Sequence, residues 1–235
     1  MVRRLFLLAA IGVVFSQPTF SNASPIGDRV SLGVYAIDRT EVTIGQFRNF
    51  INAQTRKTAA ERDGGGFEFD AGWTRRPNWT WSAPYGEQAS DEEPVVHVSW
   101  AEARDYCASV SGRLPNFDEW RRAAYTEARP NPTDGFQTGQ TYVFPVGDRP
   151  EGMNASGSDA WTRHAPAGVT RFGVNGLYDM GANVWEWLAD RREGTALTAG
   201  GSWWYGAENA RASAVQWKPA DFYAVYIGFR CVYDL

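Results

Sequence analysis

The residues best placed to do chemistry lie in three short segments near the C-terminal end. Gly176-Leu177-Tyr178-Asp179-Met180-Gly181-Ala182-Asn183-Val184-Trp185-Glu186-Trp187 is followed by Gly200-Gly201-Ser202-Trp203, and Gly228-Phe229-Arg230-Cys231 closes the set. Glycines, paired tryptophans and carboxylates are the materials of a binding-site floor. No cysteine or histidine stands between Trp185 and Arg230, so this stretch carries no chemistry that needs a thiolate or an imidazole. Ser202, Trp203, Trp204, Tyr205, Asn209, Arg211, Trp217, Phe222 and Tyr223 add a dense run of aromatic and polar side chains. Rigid aromatics bury area at small entropic cost and make good ligand contacts. The competing reading places each tryptophan in the core, but neighbours in an extended segment point in opposite directions. Trp203 and Trp204 therefore cannot both face one core. Ser202 is a poor nucleophile, with no histidine near it and no lysine preceding it at helical spacing.

Positioning these segments falls to a few regular elements. A short strand is expected over 34–38, then a helix capped by Thr43 with Ile44, Phe47, Phe50 and Ile51 on one face. Residues 56–93 are rich in Gly, Asp, Glu and Pro with Trp73, Trp79 and Trp81 interleaved, and read as a long loop packed by its own aromatics. Pro94 to Ser99 reads as a buried strand carrying His97. Ser99-Trp100-Ala101-Glu102 is a capping box; Trp100, Ala103, Tyr106, Cys107 and Val110 follow on one face, and Gly112 is the expected stop. Asn116 caps a further helix, with Trp120, Ala123 and Ala124 inward and Asp118 and Glu119 as first-turn acids favoured by the helix dipole. Beyond residue 130 loops and short strands are expected. The 11 tryptophans and 24 glycines suit irregular segments pinned by large aromatic side chains. His97 reads as a packed core residue, and His164 as a loop residue.

Residues 1–23 read as an export signal. Arg3 and Arg4 precede an apolar run from Leu5 to Phe15, too short to span a bilayer, and Ser21-Asn22-Ala23 supplies a cleavage site. An ordinary Sec signal is the simpler reading, and Arg3-Arg4-Leu5-Phe6-Leu7 also suits twin-arginine export. The mature chain, 24–235, suits one domain without a membrane span, periplasmic or secreted. Losing Arg3 and Arg4 takes the formal charge from −4 to −6, which gives no attraction for nucleic acid or anionic lipid. Cys107 and Cys231 are the two cysteines. In an oxidising compartment an even count favours a disulfide; a redox-active pair is the weaker alternative, because no Cys-x-x-Cys lowers either thiol's pKa.

Taken in order, several segments resemble the formylglycine-generating enzyme, or sulfatase-modifying-factor, family. They are Thr40-Glu41-Val42-Thr43, Pro94-Val95-Val96-His97-Val98-Ser99-Trp100, Arg113-Leu114-Pro115 with Glu119-Trp120, and the three segments above. The resemblance runs from about residue 31 to 233. It implies a single compact α+β domain of C-type-lectin-like topology with little regular structure, and a Cys107–Cys231 bridge. It also implies a structural calcium ion held by Asp179, Ala182, Val184 and Glu186, whose carboxylate and carbonyl oxygens suit a hard cation; a second family site would match Asn154 and Ala155. The bland alternative makes Asp179 and Asn183 turn residues and Glu186 half of a salt bridge. Where the family's active members carry two copper-binding cysteines, this chain has Tyr205 and, without a gap, Ala210. Thiolates select Cu(I), whereas a phenol and a methyl group cannot. No copper is expected, nor formylglycine formation by that route.

Two functions of different class follow. In the first the chain is a binding or accessory module for a small-molecule, peptide or envelope-protein ligand, with Trp185, Ser202, Trp203, Tyr205 and Arg211 as binding residues. In the second it is a periplasmic oxidase or maturation enzyme, akin to the family member that matures pyoverdine, with Tyr205, Arg211 and Glu186 as the catalytic candidates.

Overall fold

One local device starts each of the four α-helices among the described residues. Thr43, Thr58, Ser99 and Asn116 each sit in extended backbone and accept from the amide three residues on, while Gln46, Glu61, Glu102 and Glu119 bond back to the cap amide. Each box pairs two backbone donors that helix geometry would leave open. The helices are α1 (Ile44–Gln54), α2 (Ala59–Arg62), α3 (Trp100–Ser109) and α4 (Phe117–Tyr125). The computed structural model describes residues 28–157 and 161–235; the expected export signal, 1–23, lies outside them. No helix among the described residues is long and apolar enough to cross a membrane.

The strands among the described residues form three small sheets. β1 (Arg29–Ser31) and β2 (Tyr35–Asp38) pair antiparallel, and the C-terminal β9 (Val232–Asp234) joins β2. A separate hairpin comprises β3 (Gly65–Phe69) and β4 (Trp73–Pro77). The largest sheet has the order β7-β6-β5-β8, from β5 (Trp185–Arg192), β6 (Thr195–Ala199), β7 (Gln216–Pro219) and β8 (Ile227–Gly228). Strand alternation divides its residues between two cores. Trp185, Trp187 and Ala196 pack with Phe47, Tyr106 and Phe229; Leu188, Leu197 and Ala199 pack with Trp120, Ala123 and Leu177. Small sheets joined by long irregular segments make the α+β architecture that the resemblance implied.

Three local expectations need correction. The stretch 56–93 is not all loop: Thr58-Ala59-Ala60-Glu61 caps α2, and β3–β4 turns through Asp70 to Gly72. Pro94 to Ser99 is buried but forms no strand. His97 adopts φ 57°, which breaks an extended run and is uncommon for a residue other than glycine. Its Nε2 lies 3.0 Å from the Pro84 carbonyl, and its ring presses on Gly66, where a Cβ would come within 2.1 Å of Nδ1. Third, α3 ends at Ser109 with Val110 as its C-cap, and Ser111 is the left-handed residue. Gly112 serves close approach instead: a Cβ there would meet the Tyr233 ring at 2.7 Å and the Val232 carbonyl at 2.9 Å.

Cys107 of α3 is bonded to Cys231, and both are fully buried. The bridge closes a loop of sequence separation 124. In the chain-entropy picture such a cross-link contributes roughly 4–5 kcal/mol. The Cys107→Ala/Cys231→Ala variant should lose stability on that scale in guanidinium unfolding, and a loss below about 1 kcal/mol would show that the bridge constrains little.

His97 generates a second expectation. Burial pushes its imidazole from 6.5 down to about 3, so as pH falls below 6.5 the unfolded chain binds a proton that the folded chain refuses. Its contribution to stability is therefore lost on acidification, by roughly 3 kcal/mol between pH 6.5 and 4. Asp38, pushed up to about 6 by burial, works in the opposite direction, which makes the difference between wild type and variant the informative quantity. His97→Asn tolerates the left-handed backbone and removes the titration. Its denaturation midpoint should fall less between pH 6.5 and 4 than the wild-type midpoint; equal falls would refute the assignment.

Candidate functional site

Trp185 and Glu186 are neighbours on β5 and take opposite faces of the sheet. The fully buried Trp185 ring meets Tyr205 edge-on at 5.7 Å. Lys218 Nζ lies 4.7 Å from the Trp185 ring centroid, and the same amine donates to Gln216 Oε1. From there aromatic contacts run outward. Tyr226 lies 6.4 Å from Tyr205, 5.5 Å from Trp203, 5.9 Å from Trp204 and 6.3 Å from Trp73. Trp73 meets Phe222 at 4.8 Å and Phe69 at 5.4 Å. Three of these are well exposed: Phe69 at 42%, Trp73 at 47% and Trp204 at 46%. Trp73, Trp217, Lys218, Pro219 and Phe222 enclose a groove of ≈ 330 Å³ beside them.

The backbone that presents this wall is held by two glycines and one asparagine. Gly200 and Gly201 (φ 97° and 80°) turn the chain out of β6, and a Cβ on Gly201 would meet the Asn209 backbone at 3.1 Å. Trp203 N–H donates to the Asn183 carbonyl at 2.9 Å. Asn183 is fully buried; its Nδ2 donates to Glu41 Oε1 at 2.9 Å, and its Oδ1 accepts from Asn154 Nδ2 and the Ala165 amide, both at 2.8 Å. Within this scaffold Ser202 Oγ, Trp185 Nε1 and Trp203 Nε1 are buried without a hydrogen-bond partner. Buried donors are nearly always paired, so three open ones around one aromatic wall are unusual.

The opposite face holds an ion pair. Arg230 donates from Nη2 to Glu186 Oε1 at 2.7 Å and from Nε to both carboxylate oxygens, and Trp120 Nε1 donates to Glu186 Oε2 at 2.7 Å. The remaining Arg230 donors reach the carbonyls of Asp38, Arg39 and Tyr178. Asp179 accepts from the Gly168 amide and the Thr170 hydroxyl. The carboxylates of Asp179 and Glu186, two of the residues that the resemblance gives to a calcium shell, thus accept from protein donors. Among the described residues no three His, Cys, Asp or Glu side chains converge as metal ligands. Asn154 donates from Nδ2 to Asn183 Oδ1 and the Arg163 carbonyl, and its Oδ1 is buried without a partner. Burial and the neighbouring Asp179 carboxylate raise Glu41 well above the usual carboxylate range.

Of the three catalytic candidates, Tyr205 alone belongs to the aromatic wall, where burial raises its phenol pKa. Glu186 is committed to Arg230 across the sheet. Arg211 pairs with Glu208 and lies 4.7 Å from the Phe144 ring centroid, over a different cluster. Trp185, Ser202 and Trp203 do share the wall with Tyr205. Two features escape the sequence reading. Lys218 faces the site because it alternates with Trp217 on β7, a signal that is present in the residues. His164 is buried and bridges Tyr85 Oη (3.1 Å from Nδ1) and Glu93 Oε2 (2.7 Å from Nε2). Burial opposes the Glu93 charge, yet the bond to His164 holds its carboxyl below the ordinary value.

Residues 14–235 match the model of the sulfatase-modifying factor enzyme 1-like domain. The chain belongs to this family. It is 31% identical to a formylglycine-generating enzyme of Thermomonospora curvata, over 87% of this chain and 84% of that one. It is 30% identical to inactive C-alpha-formylglycine-generating enzyme 2 of Bos taurus, over 86% and 78%. The fold matches PvdO from Pseudomonas aeruginosa with a TM-score of 0.63 at 21% identity, covering 86% of this chain and 80% of that one.

The ion pair makes a direct prediction. Arg230→Met leaves the Glu186 carboxylate buried without its cation, and removing one partner of such a pair costs about 3–5 kcal/mol. Chemical unfolding measures this cost. Wild-type melting should be the same in millimolar calcium and in EGTA, to within about 1 °C, since a ligand that binds the folded chain alone raises the melting point. A calcium-dependent rise would restore the metal site.

Proposed function

We propose that this family member acts outside the cytoplasm as a ligand-binding or accessory module, recognising its ligand on the aromatic wall and not performing copper-dependent cysteine oxidation. One observation carries the reading. At the position that the resemblance equates with a copper thiolate, Tyr205 packs edge-on against Trp185, and Trp185 Nε1, Trp203 Nε1 and Ser202 Oγ are buried without hydrogen-bond partners. A phenol with a raised pKa is a hydrogen-bonding and stacking group, unsuited to Cu(I). The buried Cys107–Cys231 bridge suits an oxidising compartment, and the signal-like residues 1–23 support export. The name of the inactive relative concerns that protein, and it lends the reading a precedent within the family.

The competing enzyme reading, a maturation oxidase using Tyr205, Arg211 and Glu186, has less support, since those three side chains do not converge. The test uses residues 24–235 purified with the disulfide intact, supplied with Cu(I), oxygen and a cysteine-containing peptide. No oxygen uptake and no aldehyde-bearing product are expected. In parallel, aromatic compounds should quench the tryptophan fluorescence of the wild type, with at least roughly tenfold weaker binding by Trp204→Ala, the loss typical of a stacking aromatic at a binding centre. A stoichiometric redox metal with turnover would overturn the proposal.

A further inference from the structure

The chain carries two lysines, Lys57 and Lys218, against 21 arginines. Lys218 is half-buried, yet its ammonium meets no carboxylate among the described residues. Its partners are the Gln216 amide oxygen and the face of Trp185. Burial pushes the amine down to about 8, which leaves it charged at neutral pH. A partly desolvated cation is normally paired with an anion, and a neutral amide with one ring face satisfies only part of that demand. The other walls of its groove are Trp73, Trp217, Pro219 and Phe222. The groove thus combines flat apolar walls with an uncompensated cation at its side.

We propose that this groove binds a planar organic anion, an aromatic carboxylate, whose ring lies against Trp73 and Phe222 and whose carboxylate accepts from Lys218 Nζ. The inference rests on the binding-module reading and names the ligand class. A carboxylate is favoured over a phosphate because a single ammonium faces the groove, without the guanidinium fork or row of backbone amides that phosphate sites assemble.

The probes are 2-naphthoate and its neutral isostere 2-naphthamide, titrated calorimetrically into the full mature chain with its disulfide intact. Wild type should bind the naphthoate about tenfold more tightly than the amide, the scale of one charge-assisted hydrogen bond. Lys218→Met should abolish the preference by weakening naphthoate binding far more than amide binding, whereas Lys218→Arg should keep it. Retained amide binding by Lys218→Met also shows that the variant is folded. Equal binding of both probes by wild type, or a preference that survives in Lys218→Met, overturns the anion assignment while leaving the aromatic wall as a binding surface. If neither probe binds, the assignment falls together with the binding-module reading of this wall.

Discussion

The Arg230–Glu186 pair is the interaction on which the rest of this fold depends. Both side chains are essentially removed from solvent, so neither charge could stand alone. One guanidinium bridges β5, the end of β2, the turn at Tyr178 and, through Glu186, the Trp120 indole of α4. Only an arginine can do this, because its rigid fork presents several donors in fixed directions while staying charged. A lysine would hold the carboxylate and leave the carbonyls of Asp38, Arg39 and Tyr178 without their donor. Cys231 follows immediately, so the covalent staple and the ionic one meet at the same point of the C-terminal segment.

That arrangement explains how a chain with so little regular structure presents a defined wall. Glu186 is fixed on one face of β5, which obliges Trp185 to face the other way. Asn183, three residues earlier, orders the approach to the same strand by bonding Glu41, Asn154, Ala165 and, through its carbonyl, Trp203. Four distant segments therefore close around one buried amide. The aromatic wall is positioned by polar groups that lie behind it.

Sequence periodicity and capping chemistry made much of this legible. The boxes at Thr43, Ser99 and Asn116 are local, and their helices begin at those caps. Thr58-Ala59-Ala60-Glu61 carries the same signature, hidden by the Gly-rich stretch around it. His97 shows the limit of apolar patterning: Pro94 to Ser99 is buried as a strand would be, but the close approach of Gly66 and the Pro84 carbonyl draws its backbone into the left-handed region. Glu186 is the clearest case of information that local sequence lacks. Its carboxylate suits a cation in either form, and only the fold shows that Arg230, 44 residues away, supplies the charge. Lys218 was within reach, since alternation along a four-residue strand separates it from Trp217. His164 was not, because Glu93 and Tyr85 come from a segment more than 70 residues distant.

The elements that shape the wall do not depend on the thiolates that the family's oxidases require. Gly201 is required by the Asn209 backbone, Trp203 N–H by the Asn183 carbonyl, and the Cys231 bridge by the helix that carries Cys107. None of these constraints involves the side chain at 205, so the scaffold holds the wall whatever stands there. Tyr205, edge-on to Trp185, gives the wall apolar area and one hydroxyl. Open donors, and a cation that meets no carboxylate among the described residues, are costly to bury beside such a surface, and a bound partner would relieve that cost.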